Sequence, residues 1–434
     1  MKYKFPRIKE ENIIHYFGEN SIIYNKYDEI NVFSEPQTDI LKLCNGTMNL
    51  EEIHGEISKI YGLNSEEKDQ VIKTINTFIE NMTNVGLVEY GNKSMESVIS
   101  TTGEVLKYYP YNLNIELTSL CNLECSHCFK SANNKSGKFI ELEDIKYLVE
   151  KLKGKTHKVM VSGGEPLIHP NINEVLGLLV ENFEVSLITN GTNIDRVNDD
   201  ILKKVYFPQI SLYGIDEGEF ESITKRPSEF EKFKLGTKKL SNINKRLGLS
   251  LVLNQERKNK LEQYVQFAID YGIRKMTFGT PLPIGRAAGS EKNRHNWSLN
   301  HNDIININKD LKYLKDKYKD KIILSTLDEL FDKSKQEYWL SFFEENYEHS
   351  FSCGAGITSL TVTANGNIKP CETMPEEYFK MGSLSDLDSI INRKEIKGLK
   401  KEASVYGESL KNNNIDPSKI CGKLNRLIKI SGDN

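Results

Sequence analysis

The chain has 434 residues, 38% of them hydrophobic and 27% charged, with a net charge of −3 at neutral pH. That length exceeds one ordinary core and predicts two or three domains. The near-neutral balance gives no bulk attraction for nucleic acid or an anionic membrane, and the sequence has no apolar run of the roughly 18 residues a membrane span needs. Met1–Asn20 is charged and lacks the apolar core of a secretion signal. Seven cysteines, odd in number and clustered, predict metal ligation in a reducing cytoplasm rather than a disulfide framework.

Ile13–Tyr16, Ser21–Asn25 and Glu29–Phe33 are short runs rich in Ile, Tyr and Val, separated by turn-forming residues; they predict a small antiparallel sheet. Three helical patterns follow. Gln37–Cys44 is stopped by Asn45-Gly46, Asn49 caps the next, and Ser65 opens a third, in which Val71, Ile75, Phe78, Ile79 and Met82 recur at helical spacing. Cys44 reads as a small core residue, and Gly86–Tyr90 closes the unit. Strands followed by three helices predict a winged-helix domain over residues 1–92. The third helix carries Glu66, Glu67, Asp69 and Glu80 against Lys68 and Lys73, which is too acidic a face for phosphates and favours a peptide over DNA. The pattern resembles the precursor-peptide recognition element of ribosomal peptide maturases. There a leader peptide adds a strand to the small sheet and packs on the third helix. The polar stretch 93–109 predicts a linker.

From Tyr111 the chain alternates. Strands are expected at Leu113–Leu117, Val159–Ser162, Val185–Thr189, Gln209–Tyr213, Leu249–Asn254 and Lys275–Phe278, with helices between them at Leu142–Leu152, Asn171–Asn182, Asn198–Val205, Phe230–Asn242 and Lys258–Tyr271. Repeated β-α units predict an α/β fold with a parallel sheet and right-handed crossovers over residues 110–300. Just after the first strand stand Cys121, Cys125 and Cys128, spaced C-x3-C-x2-C. Zinc and ordinary iron–sulfur sites take four protein ligands, so three thiolates in one loop leave a corner for another ligand. This spacing resembles the signature of the radical S-adenosylmethionine (SAM) superfamily. The resemblance implies an open, TIM-like partial (β/α)6 barrel, with a 4Fe–4S cluster on these three cysteines and SAM on the remaining iron.

Other residues extend the resemblance. Gly163-Gly164-Glu165-Pro166, after the second strand, is similar to the family's GGEP motif, in which the carboxylate binds the methionyl ammonium. Thr189 and Asn190, after the third strand, match its ribose-side turn. Ser211 and Asn254, ending the fourth and fifth strands, stand where the family places polar SAM contacts, and each also reads as an ordinary strand-end polar group. The backbone of Phe129 would meet adenine, and Pro283–Ala287 resembles a segment of cluster-rich maturases that brings Arg286 near the site. His127, inside the loop, is expected to point outward or to support the site from behind. The family's chemistry would pass an electron from the reduced cluster to SAM, releasing methionine and a 5′-deoxyadenosyl radical that takes a hydrogen atom from an unactivated carbon.

Residues 301–434 are expected to form a third, smaller α+β domain. Asn302–Tyr318 reads as an amphipathic helix and Asp320–Leu327 as a strand that starts the new unit. Asn365-Gly366 between alternating runs predicts a hairpin flanked by Cys353 and Cys371. With Met381–Leu384 as a following strand, this resembles the SPASM and twitch extensions that hold auxiliary iron–sulfur clusters. A full SPASM set needs more cysteines; here only Cys421 remains, so Cys353, Cys371 and Cys421 imply one auxiliary cluster, completed by another residue or left with an open iron.

The whole pattern resembles a radical SAM peptide maturase, nearest to the thioether-forming sactipeptide synthases of the sporulation killing factor maturase type. It implies a precursor peptide as partner, an electron donor such as flavodoxin or ferredoxin, a cytoplasmic setting, and neither nucleic acid nor membrane. Carbon–carbon or carbon–oxygen cross-linking and epimerisation of a peptide are alternative reactions. A winged-helix, DNA-binding redox regulator is the alternative of another class, and the SAM motifs argue against it.

Overall fold

In the computed structural model the described residues are 4–25, 30–327, 354–393 and 400–413. The chain divides into two units, Met1–Tyr111 with Ile391–Lys394, and Asn112–Ile390 with Glu395–Asn434.

In the first unit β1 (Phe5–Ile8) pairs antiparallel with β5 (Val88–Gly91). The strands β2 (Asn12–Gly18), β3 (Asn20–Asn25) and β4 (Ile30–Phe33) form the expected antiparallel ladder. Helices α1 (Glu35–Leu43), α2 (Leu50–Ile60) and α3 (Ser65–Asn84) follow. Asn49 and Glu52 cap α2 reciprocally, with N–H···O distances of 3.1 and 2.8 Å, and Asn64 with Glu67 does the same for α3. Ile53, Ile57, Ile75 and Ile79 bury the apolar faces of α2 and α3 against Ile14, Ile23 and Phe33. Cys44 is fully buried among them, and burial pushes its thiol up to about 12.

The stretch expected to be a linker holds a further strand, β6 (Ser100–Val105), which joins the sheet parallel to β2 and gives the order β4-β3-β2-β6. The imidazole of buried His15 bonds Thr102 Oγ1 at 3.0 Å and the Tyr109 carbonyl at 3.1 Å. Gly103 stands at φ +70°, and a Cβ there would lie 2.1 Å from the Tyr16 carbonyl oxygen. The strand is held by backbone and one buried imidazole. Its own side chains are exposed or half-buried, so they carry no apolar alternation to read.

The second unit is built on parallel strands in the order β13-β12-β11-β10-β9-β8-β7: β7 (Asn112–Glu116), β8 (Lys158–Ser162), β9 (Glu184–Thr189), β10 (Phe207–Ser211), β11 (Gly248–Val252), β12 (Lys275–Gly279) and β13 (Ile323–Ser325). Helices α4 (Leu142–Leu152), α5 (Ile172–Asn182), α6 (Asp199–Lys204), α7 (Glu217–Thr224), α8 (Phe230–Ile243), α9 (Leu261–Asp270), α10 (Glu291–Asn296) and α11 (His301–Lys317) connect them. This is the expected α/β partial barrel. The short helices α7 and α10 are additional to the expected set.

The expectation that a new unit begins near residue 320 is corrected. Ile307, Leu311 and Leu314 bury one face of α11, and the chain returns so that β13 pairs parallel with β12. The hairpin also joins this sheet. Strand β14 (Ser359–Val362) lies parallel to β7, and β15 (Asn367–Lys369) and β16 (Gly382–Ser383) continue antiparallel beyond it. The Asn365-Gly366 turn is as predicted, with Gly366 at φ +73°.

Candidate active site

The three-cysteine loop is pinned by backbone contacts from several elements. Cys121 N–H donates to the Asn133 carbonyl at 2.9 Å. Glu124 and Ser126 N–H donate to the Thr224 and Ile223 carbonyls at the end of α7, at 3.0 and 2.8 Å. Arg286 Nε donates to the Cys125 carbonyl at 2.7 Å, and Asn293 Nδ2 to the Ser126 carbonyl at 2.9 Å. Cys121 and Cys125 are buried and Cys128 is half-buried. Burial pushes the Cys121 thiol up to about 12 and raises Cys125 well above the ordinary thiol range.

His127 does not point outward. Its ring packs 4.4 Å from Trp297, its Nδ1 is enclosed without a partner, and burial lowers it to about 3. Ser211 ends β10, two residues before Tyr213, whose ring centroid lies 6.1 Å from that of His127. Among the described residues no three Cys, His, Asp or Glu side chains converge closely enough to hold a metal ion as they stand. The donor set nevertheless fits an iron–sulfur cluster. Three soft thiols share one pinned loop, and the nearby imidazole is turned onto an indole and does not compete. Ligation would displace the protons that burial keeps on Cys121 and Cys125.

The Gly163–Pro166 turn packs directly on this loop. Gly164 N–H donates to the Thr118 carbonyl at 2.7 Å and Glu165 N–H to the Leu120 carbonyl at 2.8 Å. A Cβ on Gly164 would lie 2.0 Å from the Leu120 carbonyl oxygen, and one on Gly163, at φ +139°, 2.4 Å from the Thr118 carbonyl oxygen. The glycines therefore admit the backbone of the cysteine loop itself.

Glu165 is fully buried, and Pro166 begins a single 3₁₀ turn behind it. Its Oε1 accepts from Thr189 Oγ1 at 2.7 Å and Leu167 N–H at 3.0 Å, and Oε2 from Asn190 N–H at 2.6 Å. Burial raises the carboxyl to about 7 against those three donors. Asn190 Nδ2 donates to Asn122 Oδ1 at 2.8 Å and approaches Cys121 Sγ at 3.9 Å, tying the third strand's turn to the loop.

Asn254 is buried and caps its own turn, its Oδ1 accepting from Glu256 and Arg257 N–H at 3.1 and 2.8 Å. Arg257, three residues on, is a buried guanidinium that the sequence reading passed over. Its Nη1 donates to the Val252 carbonyl at 2.9 Å and its Nε to Glu219 at 3.1 Å, with Tyr213's carbonyl as a further acceptor. The Asn-x-x-Arg spacing was its only available signal.

A cavity of about 440 Å³ opens beside Phe129 and Gly164. Four charged side chains form a ring on it. Lys130 Nζ lies 2.7 Å from Glu372 and 3.3 Å from Glu116, and Lys369 Nζ lies 3.2 Å from Glu116. Lys369 also donates to the Glu372 carbonyl at 3.1 Å, which closes the ring. Burial alone would depress the Lys130 ammonium, but Glu372 and Glu116 hold it above its ordinary value. Phe129, Met374, Tyr378 and Tyr406 supply an apolar wall. None of the four charges was singled out from sequence, although Lys130 follows the third cysteine by two residues and Glu372 follows Cys371. Cys371 is half-buried, with its Sγ 3.5 Å from Thr373 Oγ1. Cys353 and Cys421 lie outside the described residues.

Residues 115–268 match the model of the Radical SAM superfamily. The chain carries a radical SAM domain. The cysteine loop and the turns at Gly163 and Thr189 all fall inside it, as do Ser211 and Asn254, and this family implies a 4Fe–4S cluster and SAM. The chain is 23% identical over 407 residues to the antilisterial bacteriocin subtilosin biosynthesis protein AlbA of Bacillus subtilis, covering 89% of this chain and 84% of that one. It is 22% identical over 323 residues to the sporulation killing factor maturation protein SkfB of the same organism, covering 72% and 73%. Among solved structures, Streptococcus suis SuiB bound to S-adenosylmethionine superposes with a TM-score of 0.55 at 18% identity, covering 87% of this chain and 86% of that one. SuiB bound to precursor peptide SuiA gives 0.52 at 17%, covering 85% and 83%. Among the described residues no helix is long and apolar enough to cross a membrane.

Proposed function

We propose that this radical SAM protein matures a ribosomally made precursor peptide by joining a cysteine sulfur to a peptide carbon. The observation that carries the reading is the reach of the similarity to AlbA. At 89% of the chain it extends far beyond the radical SAM domain and must include much of the first unit. The names of AlbA and SkfB attach those proteins to peptide bacteriocin and killing-factor production.

In this reading Cys121, Cys125 and Cys128 hold the cluster, and Glu165 receives the ammonium of SAM while the Thr189–Asn190 turn orients it. Phe129, Ser211 and Asn254 line or brace the same pocket. Bound there, cluster and SAM supply the hydrogen-abstracting radical. The cavity beside Phe129 takes the core peptide, and its apolar wall excludes water from the reacting carbon. Cys371, with Cys353 and Cys421, is assigned to one auxiliary iron–sulfur site. The first unit takes the leader, and its sheet supports this because β6 covers the β2 edge while β4 ends the other side of the order. A leader strand there meets α3, whose Phe78 stacks edge-on against Phe33 at 6.0 Å. A flavodoxin- or ferredoxin-type protein in the cytoplasm is the proposed electron source.

The test is anaerobic reconstitution with iron, sulfide, SAM and reductant, then addition of the small peptide encoded beside the gene. A mass loss of two hydrogens per bridge, with disappearance of a thiol, is the expected result. Loss of two hydrogens with every thiol retained points to carbon–carbon or carbon–oxygen linkage. Absence of 5′-deoxyadenosine from a protein with a reducible cluster sinks the radical assignment.

A further inference from the structure

The cysteine loop is gripped by a segment more than 150 residues away in sequence, as the contact between Arg286 and Cys125 shows. Arg286 grips it twice: its backbone N–H donates to the Cys128 carbonyl at 3.0 Å and its Nε to the Cys125 carbonyl at 2.7 Å. Asn293 Nδ2 holds the Ser126 carbonyl at 2.9 Å and the Arg286 carbonyl at 2.6 Å, so grip and loop share one donor. Trp297 Nε1 donates to Ser126 Oγ at 3.2 Å. Gly285, at φ +60°, lets the segment lie on the loop; a Cβ there would sit 2.4 and 2.5 Å from the Phe129 and Cys128 carbonyl oxygens. Three carbonyls of the eight-residue loop are thus fixed by one downstream segment.

The bond to Cys125 has a second consequence. It places a permanent positive charge within one residue's backbone of a cluster thiolate. An iron–sulfur cluster gains negative charge on reduction, and a fixed cation nearby favours the reduced form. Arg286 is half-buried, so its field is only partly screened by water.

We propose that Arg286 is a positioning residue with two effects: it fixes the Cys125 carbonyl relative to that of Cys128, and its charge raises the reduction potential of the cluster that the loop's thiolates hold. This rests on the cluster of the radical SAM domain and not on the peptide reading, so its test needs no peptide. Arg286→Gln and Arg286→Lys are purified beside the wild type, reconstituted anaerobically, and assayed for iron and sulfide. Each is then poised against dyes of known potential and its reduced fraction read by electron paramagnetic resonance.

At a poise where the wild type is half reduced, Arg286→Gln should show a reduced-to-oxidised ratio about tenfold lower, equal to ~59 mV for one electron. Arg286→Lys should titrate near the wild type but with a broadened signal, because it keeps the charge and loses the planar Nε–H donor. A glutamine variant that loads iron fully and titrates with the wild type overturns the proposal. If the glutamine variant is folded by circular dichroism but holds no iron, the grip is supported and the lysine variant decides the charge. Loading with an unchanged midpoint sustains it, and loading with the lowered midpoint overturns it. The lysine variant is read the same way if the glutamine variant does not fold.

Discussion

The two described regions that carry proposed iron ligands are held in opposite ways. The Cys121–Cys128 loop is fixed through its backbone, by carbonyl and amide contacts from α7, Asn133 and the Arg286–Asn293 segment. Cys371 follows the hairpin, and the residues beside it are fixed through side chains, with Lys369 and Glu372 in the charged ring. A loop held at its own backbone keeps its shape whichever of its own side chains is removed, and depends instead on the donors that grip it, the Arg286 and Asn293 side chains among them. A side-chain-pinned segment depends on each charge. The difference suits a first site that must present three thiols in one geometry and a second whose geometry is coupled to the cavity wall.

The largest expected difference is functional. Cys125→Ala should abolish both the cluster's charge-transfer absorbance and the formation of 5′-deoxyadenosine, since three thiolates are the minimum the loop supplies. Cys371→Ala should leave SAM cleavage without peptide close to wild type and remove peptide modification. Chromatographic assay of 5′-deoxyadenosine beside mass spectrometry of the peptide separates the two. Equal loss in both variants would break the comparison.

Stability separates the regions next. Lys130→Met leaves half-buried Glu372 without its ion-pair partner and buried Glu116 with Lys369 alone, and should cost about 3 kcal/mol in denaturant unfolding. Lys130→Met with Glu372→Leu should recover much of that, because the uncompensated charge goes with its partner. Backbone pinning predicts its own sensitivity. Gly164→Ala drives a methyl to 2.0 Å from the Leu120 carbonyl oxygen and should cost about 3 kcal/mol, because backbone on both sides leaves nothing to rotate away. Gly366→Ala, in the hairpin turn, meets nothing nearer than 3.8 Å and should cost only the left-handed strain of about 1 kcal/mol. Comparable losses at the two glycines would show that the loop yields more readily than its contacts imply.

Those contacts mark the limit of what the sequence discloses. The barrel strands and most of its helices were legible because βα units alternate apolar runs with helical periodicity, and the thiol spacing stood out against so few cysteines. The packing partner of Gly164 was not legible, since the motif reads as a ligand turn and nothing local says that Leu120's backbone lies against it. Strand β6 was missed because its side chains are exposed or half-buried and its anchor is His15, far away in sequence. The ring of Glu116, Lys130, Lys369 and Glu372 draws its members from three separated segments, each of which alone is an ordinary charged residue. The return of β13 to the barrel sheet was hidden by its length of three residues.

The smallest expected effect concerns the charge on Glu165 and can be read without any substrate. Burial raises this carboxyl from 4.5 to about 7. An ammonium guest needs the carboxylate, which is present above about 7 and is lost as pH falls through that value. At pH 6 roughly one molecule in ten is ionised, so SAM should bind about tenfold more weakly there than at pH 8. The apo-protein should respond in the opposite direction. The folded state keeps a proton that the unfolded chain releases above 4.5, so this group's contribution to stability falls between about 4.5 and 7 and is level above. Glu165→Gln should flatten both profiles and weaken SAM binding at pH 8. Equilibrium dialysis of SAM and thermal unfolding, each run from pH 5.5 to 8, measure the two trends. A SAM affinity independent of pH in the wild type would remove Glu165 from the ammonium site, while a stability trend surviving in Glu165→Gln would assign the titration to another buried acid.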